Sequence, residues 1–258
     1  IFASFGTSVQ TDIVGEFEET AASEIIIVTG DVGFDPSEGG GGGPPPSPDE
    51  LGNVALPGVT THDLKQISEI EGVQSVIPRG TIDASSVSYR NQTEPQSVIA
   101  TTPAALPEEN FVSGGAFEQG ESGSIVLTES AANAFDSEVG VNDTIRVDYG
   151  NERENFSVAG IITQARGGLN VFGGFGSEVY VPTDPYYRDR GDTVESPSQG
   201  VRQAAYRQVT VVANPNEVSE TRERIEAYFT EESDAGQIVE DGVTVQSTAQ
   251  IVDGIESV

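Results

Sequence analysis

Hydrophobic residues in the first 22 positions recur at steps of three and four, the spacing that places side chains on one face of a helix. The set is Phe2, Phe5, Val9, Ile13 and Phe17. No capping residue precedes Ile1, so we interpret residues 1–22 as the end of a helix that continues upstream.

The last segment, residues 247–258, has the same character. Ile251, Ile255 and Val258 share a face, and Ser247 and Gln250 have the spacing of a capping box at a helix start. Both ends of the chain therefore resemble helices cut in the middle. Two ordinary terminal helices are the alternative.

Between these ends, the pattern predicts a first β-α-β unit. An apolar strand over 23–30 is followed by a helix with Thr60 or Thr61 as its N-cap and Gly72 closing it. A second strand covers 73–82. The inward residues of the helix are predicted to be Leu64, Ile67 and Ile70.

A second β-α-β unit follows about 180 residues later. Its strand, 206–213, leads to Asn214 as N-cap with Pro215 in the first helical position. The predicted inward face is Val218, Thr221, Ile225 and Tyr228. A strand over 241–247 completes the unit. Helices packed on a sheet built from both chain ends indicate an α+β fold.

A Gly/Pro-rich stretch, "SEGGGGGPPPSPDELG", separates the first strand from its helix. We interpret it as an extended crossover loop, because loop-closure cost grows only slowly with length. A linker between independent domains is the alternative, but it would leave the first strand without a partner.

The middle of the chain, residues 101–199, is predicted to be a mostly β insertion. It contains a strand and a short helix opened at Thr128, a hairpin around "YGNERE", and a strand ended by Pro182. The predicted organisation is one subdomain from 1–100 and 200–258, with 101–199 inserted.

The charge balance excludes nucleic acid as a partner. Twelve basic and 42 acidic residues give a net charge of −30, which repels a phosphate backbone. The acids are dispersed and Lys65 is the sole lysine, a composition typical of halophilic proteins. An ordinary acidic protein is the alternative.

Several features bear on location. The absence of Met, even at residue 1, indicates an excised or processed piece, whereas the absence of Cys excludes a disulfide framework but does not decide the compartment. No apolar run reaches the roughly 20 residues that span a bilayer. Three Asn-x-Ser/Thr sequons, at Asn91, Asn142 and Asn155, favour an extracytoplasmic chain and are candidate glycosylation sites in surface turns.

The sequence contains no strong catalytic motif. His62 is the sole histidine and is predicted to be solvated beside Asp63; phosphate-loop and serine-elbow patterns are absent. Asp31, Asp35 and Glu38 form an acidic group without calcium-loop spacing. We predict a non-enzymatic domain with no catalytic residues, cofactor or metal, and treat a hydrolase as a minor alternative.

One segment is a candidate contact site. A glycine-rich loop, "RGGLNVFGGFGSE", carries Leu169, Val171, Phe172 and Phe175. Large apolar residues in a loop often contact a partner or substrate. The same residues could instead fold back over the core of the β insertion.

The order of segments resembles the extracytoplasmic domain of MacB/LolC/FtsX-like ABC transporter permeases, the MacB-like periplasmic core domain. The likeness is carried by "LKQISEIEGVQSVIP", "GGAFEQGESGSIVLTESAANAF", "VGVNDTIRVDYGNERENFSVAGII" and "SEVYVPTD". The chain has Gly114-Gly115 where the family commonly has Gly-Arg, and its Gly/Pro loop is unusual.

The resemblance implies a porter-like subdomain with an inserted Sabre-like β subdomain, lying outside the membrane between two transmembrane helices. It also implies a dimer of permease protomers, driven by a cytoplasmic ABC ATPase through stalk helices (mechanotransmission). The terminal apolar faces would pack those stalks, and the extracellular substrate or partner is unknown. The alternative is a secreted or membrane-anchored binding module without an ATPase.

Overall fold

The structure is a computed structural model and describes residues 23–30, 56–150, 152–166, 177–239 and 242–250. These ranges form an α+β fold dominated by strands, as the sequence predicts. The strands are β1 (Glu24–Thr29), β2 (Val59–Thr60), β3 (Val73–Ile82), β4 (Ser86–Tyr89), β5 (Gln92–Glu94), β6 (Ser97–Thr101), β7 (Phe111–Gly114), β8 (Ser124–Thr128), β9 (Thr144–Asp148), β10 (Arg153–Ile162), β11 (Glu178–Pro182), β12 (Thr193–Ser196), β13 (Val201–Tyr206), β14 (Gln208–Ala213) and β15 (Val243–Ser247). The α-helices are α1 (Thr61–Ser68), α2 (Glu129–Asn133), α3 (Arg188–Arg190), α4 (Val218–Glu231) and α5 (Asp234–Ile238).

Twelve strands form one mixed sheet in the order β15-β1-β14-β3-β6-β11-β8-β10-β9-β4-β5, with β7 paired to β10. At one end, β1 lies between β15 and β14, and both pairings are antiparallel. Each predicted β-α-β unit is therefore split by a strand of the other unit. This interleaving is the ferredoxin-like arrangement, with helices α1 and α4 as the two crossovers.

Strand β3 connects the two ends of the large sheet. Its first part pairs with β14 up to Arg79, and its last three residues, from Gly80, pair with β6. A side chain on Gly80 would collide with the ring of Tyr187, since an added Cβ would lie 2.2 Å from it. Tyr187 also stacks on Tyr206 at a centroid distance of 4.6 Å. Close aromatic packing thus fills the point where β3 changes partners.

Strands β4 to β6 pair within the far part of the sheet, beside strands of the middle segment. The change of partner lies at Gly80 rather than near residue 100. The two-subdomain division remains a prediction, and this pairing favours a first boundary near Gly80.

The large sheet carries a hydrophobic core on each face. One face carries the larger core, in which Ile25, Ile27, Ile67 and Ile225 are fully buried between the strands and helices α1 and α4. The opposite face has a second core beneath the 103–117 segment. The inward faces predicted for both helices are confirmed, although Phe229 also joins the core.

Two predicted helix boundaries are wrong. Helix α1 ends at Ser68 rather than running to Gly72, which forms a turn with φ +93 and packs so closely on α4 that a Cβ would lie 2.2 Å from Thr221 Oγ1. Helix α4 begins at Val218 rather than after Asn214, because Glu217 N–H donates to Asn214 O and closes a separate turn first.

A small three-stranded sheet, β12-β13-β2, was not predicted. Its strands are rich in polar residues and show little hydrophobic periodicity, so the sequence pattern does not indicate them. Arg202, for example, is exposed. Among the described residues, no helix combines the length and the apolar character needed to cross a membrane.

Candidate functional site

The first and last described residues lie close together at one end of the large sheet, in a region here called the chain-end junction (Ser23, Glu24, Ser247, Thr248 and Gln250). Ile25 of β1 is directly opposite Ser247 of β15. The Thr248 hydroxyl donates to the carbonyl of Glu24 at 3.3 Å, and Ser23 O accepts from Ala213 N–H at 2.8 Å.

The capping box predicted for the last helix is present at this junction. Ser247 N–H donates to Gln250 Oε1 at 3.2 Å, and Gln250 N–H donates to Ser247 Oγ at 3.4 Å. Residues 248–250 are helical. Helical backbone therefore begins directly after β15, at Thr248.

Glu24 is the one described acid with a strongly raised pKa. Burial raises the pKa of its carboxyl group to about 7, and the positive charge of Arg166 partly opposes the shift. Val212, the β14 partner of Glu24, belongs to the same hydrophobic core as Ala165. The start of β1 and the segment ending at Arg166 are thus close in space.

Arg166 anchors one end of the predicted contact loop. Its backbone N–H donates to Ala105 O at 2.6 Å, and its guanidinium forms an ion pair with Glu109 at 3.0 Å. The proposed contact residues lie outside the described residues: Leu169, Val171, Phe172 and Phe175. The same is true of the candidate stalk residues Phe2, Phe5, Val9, Ile13, Phe17, Ile251 and Ile255, and of the acidic group Asp31, Asp35 and Glu38.

Two fully buried aspartates join the helical layer to the small sheet. Asp63 Oδ1 accepts from Tyr228 Oη at 2.7 Å and from Asp234 N–H at 2.9 Å. Its Oδ2 accepts from Thr60 N–H at 2.9 Å and Ala235 N–H at 3.2 Å. One carboxylate thus caps the N-termini of both α1 and α5.

The second buried aspartate, Asp234, receives donors from the small sheet. The Ser196 hydroxyl and the Ser198 N–H donate to it, and Thr60 Oγ1 lies 3.1 Å from its Oδ2. Burial raises the pKa of Asp234, but these hydrogen bonds outweigh burial and the net shift is downward. Both carboxylates are satisfied by donors without a basic side chain, so the network is structural in character.

The geometry does not assemble a catalytic group around the sole histidine. The backbone N–H of His62 donates to Gln203 Oε1 at 2.8 Å, and the neighbouring Asp63 is committed to the network above. Within the described ranges, no cluster of three or more His, Cys, Asp or Glu side chains could hold a metal ion. The sequence does not single out these two buried aspartates, because the chain has 42 acidic residues and nothing local distinguishes most of them. The Thr60-x-x-Asp63 spacing is a capping signal that could have identified Asp63.

All three sequon asparagines are exposed. Asn91 lies in the β4–β5 turn, and Asn142 lies in a turn with φ +70. Asn155 was predicted in a turn but lies within strand β10, opposite Arg146 of β9. Asn155 reaches solvent from the outward-facing side of this strand rather than from a loop.

A family model for the MacB-like periplasmic core domain matches residues 1–228. The chain belongs to this family. It is therefore an extracytoplasmic domain of a MacB-like ABC transporter permease, as the segment order predicts. Among curated protein sequences, none matches the chain.

Solved structures show the same fold at low sequence identity. The periplasmic region of MacB from Actinobacillus actinomycetemcomitans aligns with TM-score 0.62 at 14% identity, covering 96% of this chain and 99% of that one. The extracellular domain of the noncanonic ABC-type transporter YknZ from Gram-positive bacteria gives 0.54 at 13%, covering 86% and 99%. A domain of a putative permease protein from Porphyromonas gingivalis gives 0.52 at 14%, covering 88% and 91%.

Proposed function

We propose that this domain is a non-catalytic transmitter of movement between membrane helices and an extracellular substrate or partner. A cytoplasmic ABC ATPase would drive the movement in a dimer of permease protomers. The observation that supports the proposal is the chain-end junction, where β1 and β15, the first and last described strands, are adjacent in one sheet. Paired attachment is what a domain moved by two membrane helices requires.

The two attachments differ in stiffness. Strand β1 is hydrogen-bonded on both sides, and its Ile25 and Ile27 are fully buried, so displacing it disrupts two ladders. Strand β15 is the edge strand of the sheet. We infer that the N-terminal stalk moves the domain as a body, while the C-terminal stalk has more freedom to shift.

A linker insertion tests this mechanism in the full permease–ATPase complex. Six Gly/Ser residues inserted before Ser23 remove stiffness at the junction but leave the domain intact. The same insertion between Gln199 and Gly200, in an exposed turn, is the matched control. This domain has no cysteine, so a spin label on Val112→Cys, a position that is 55% exposed, is the single label within the domain; with any cysteine elsewhere in the complex replaced, it reports the distance between protomers by pulsed electron paramagnetic resonance.

We expect the ATP-dependent change in label distance to disappear with the junction insertion and to persist with the control, with ATP hydrolysis retained in both. Unchanged motion after the junction insertion would refute transmission through the N-terminal stalk. If the complex has no ATP-dependent motion and no associated ATPase, the surface binding module becomes the better account.

A further inference from the structure

The outer face of strands β5, β4, β9 and β10 carries a continuous row of polar residues. Register places Thr93 opposite Ser88, Ser88 opposite Arg146, and Arg146 opposite Asn155. Directly paired residues share one face of an antiparallel sheet, so these side chains point to the same side. The opposite side carries Val87 and Val147, both fully buried, and faces the core.

The three sequons collect at this corner of the sheet. Asn91 follows β4, while Asn142 precedes β9, and the hydroxyl of Tyr89 donates to Asp143 at 2.7 Å, which ties the two turns together. With strands roughly 4.8 Å apart and about 3.3 Å per residue, the three asparagines lie within roughly 20 Å of one another.

Each sequon also presents both of its reactive positions to solvent. The exposed hydroxyl residues two positions after the asparagines are Thr93, Thr144 and Ser157. In the strand sequon, the alternation of the backbone points Asn155 and Ser157 outward while Phe156 is buried between them. Among the described residues, the side chains of these three asparagines form no hydrogen bond.

We propose that Asn91, Asn142 and Asn155 are N-glycosylation sites and that their glycans cover this corner of the domain. The donor is a membrane lipid-linked sugar phosphate. The asparagine Nδ2 bonds to the anomeric carbon, the bond from that carbon to the phosphate oxygen breaks, and the lipid phosphate leaves as the amide loses one proton. The covered face is then closed to protein partners. The proposal depends on location outside the membrane and is independent of the transmission mechanism.

Glycopeptide mass mapping of the full permease from its native host's membranes tests the proposal. We expect an added glycan mass on each of the three sequon peptides and one step of increased electrophoretic mobility for each of N91Q, N142Q and N155Q. Asn133 and Asn216 are the internal controls: both are exposed, but Phe135 and Val218 stand where a hydroxyl is required.

A matched pair at Thr144 separates modification from folding, since this side chain is exposed. Thr144→Ser retains the hydroxyl and should keep the glycan on Asn142, whereas Thr144→Val should lose it without loss of folded protein. Sequon peptides recovered without added mass overturn the proposal. Equal modification of Asn133 or Asn216 overturns the assignment to these sequons.

Discussion

Replacing Asp63 should be among the most damaging single changes in the described fold. Apart from the Thr60 hydroxyl, which is shared with Asp234, its carboxylate accepts hydrogen bonds from four donors: Thr60 N–H, Tyr228 Oη, Asp234 N–H and Ala235 N–H. Each buried donor left without an acceptor costs about 1–3 kcal/mol. Since water entering the site offsets part of this, we expect Asp63→Ala to lower the free energy of unfolding by about 4 kcal/mol. That is a large share of the roughly 5–15 kcal/mol of a typical domain.

Asp63→Asn provides a graded test. The single amide oxygen can replace Oδ1, which serves Tyr228 and Asp234, or Oδ2, which serves Thr60 and Ala235, but not both. About half the donors lose their acceptor, so we expect a loss of about 2 kcal/mol.

Denaturant unfolding of the domain at one fixed salt concentration, followed by circular dichroism, measures both changes. The matched control is Asp189→Ala, an exposed acid paired with Arg188, which should change stability by less than about 0.5 kcal/mol. A loss below about 1 kcal/mol for Asp63→Ala, with an unchanged denaturant slope, would refute the capping role.

Further predictions concern charge, the stalks and the contact loop. Because burial raises the pKa of Glu24 to about 7, the folded state holds a proton that the unfolded state releases, so stability falls as pH rises from about 4.5 to about 7. Glu24→Gln should remove that decline in pH-dependent unfolding curves; an identical decline would contradict it. The net charge of −30 predicts loss of far-UV dichroism on dilution from molar to low salt, and a fold equally stable in dilute buffer would count against the halophilic interpretation. Phe5→Asp combined with Ile255→Asp should abolish ATP-driven motion in the full complex while the domain stays folded, and unimpaired motion would rule out stalk packing. A photo-crosslinking residue at Phe172 should capture a partner that one at Val112 does not; equal capture would argue against the contact loop.

The sequence predicts correctly those elements whose hydrophobic period and end signals both lie within the element itself. Strand β3 and the helix opened at Thr128 were found correctly because each combines a clear period with an end signal; the Thr128 hydroxyl does accept from Ala131 N–H. The start of α4 was mispredicted because Asn214 and Pro215 also suit a turn, and the link from Asn214 N–H to Gly72 O decides between the two. The local sequence pattern cannot predict this hydrogen bond, because its two residues are far apart in the chain.

The interleaving of the two β-α-β units could not be predicted from either unit alone. It depends on β1 pairing with both β14 and β15, whose partner residues lie between 180 and 222 positions away in the chain. The paired aspartates were hidden for a related reason: Asp63 and Asp234 are separated by 171 positions, and each resembles any other acid until the fold brings their donors together.

The most direct test of transmission is the distance between Val112 labels on the two protomers of the permease–ATPase complex without the linker insertion. Pulsed electron paramagnetic resonance would compare the nucleotide-free state with the ATP state trapped by vanadate. The account predicts a shifted distance distribution on trapping, because the proposed N-terminal stalk would attach to β1, which is paired on both sides. Identical distributions in the two states, with vanadate shown to inhibit the ATPase, would contradict it.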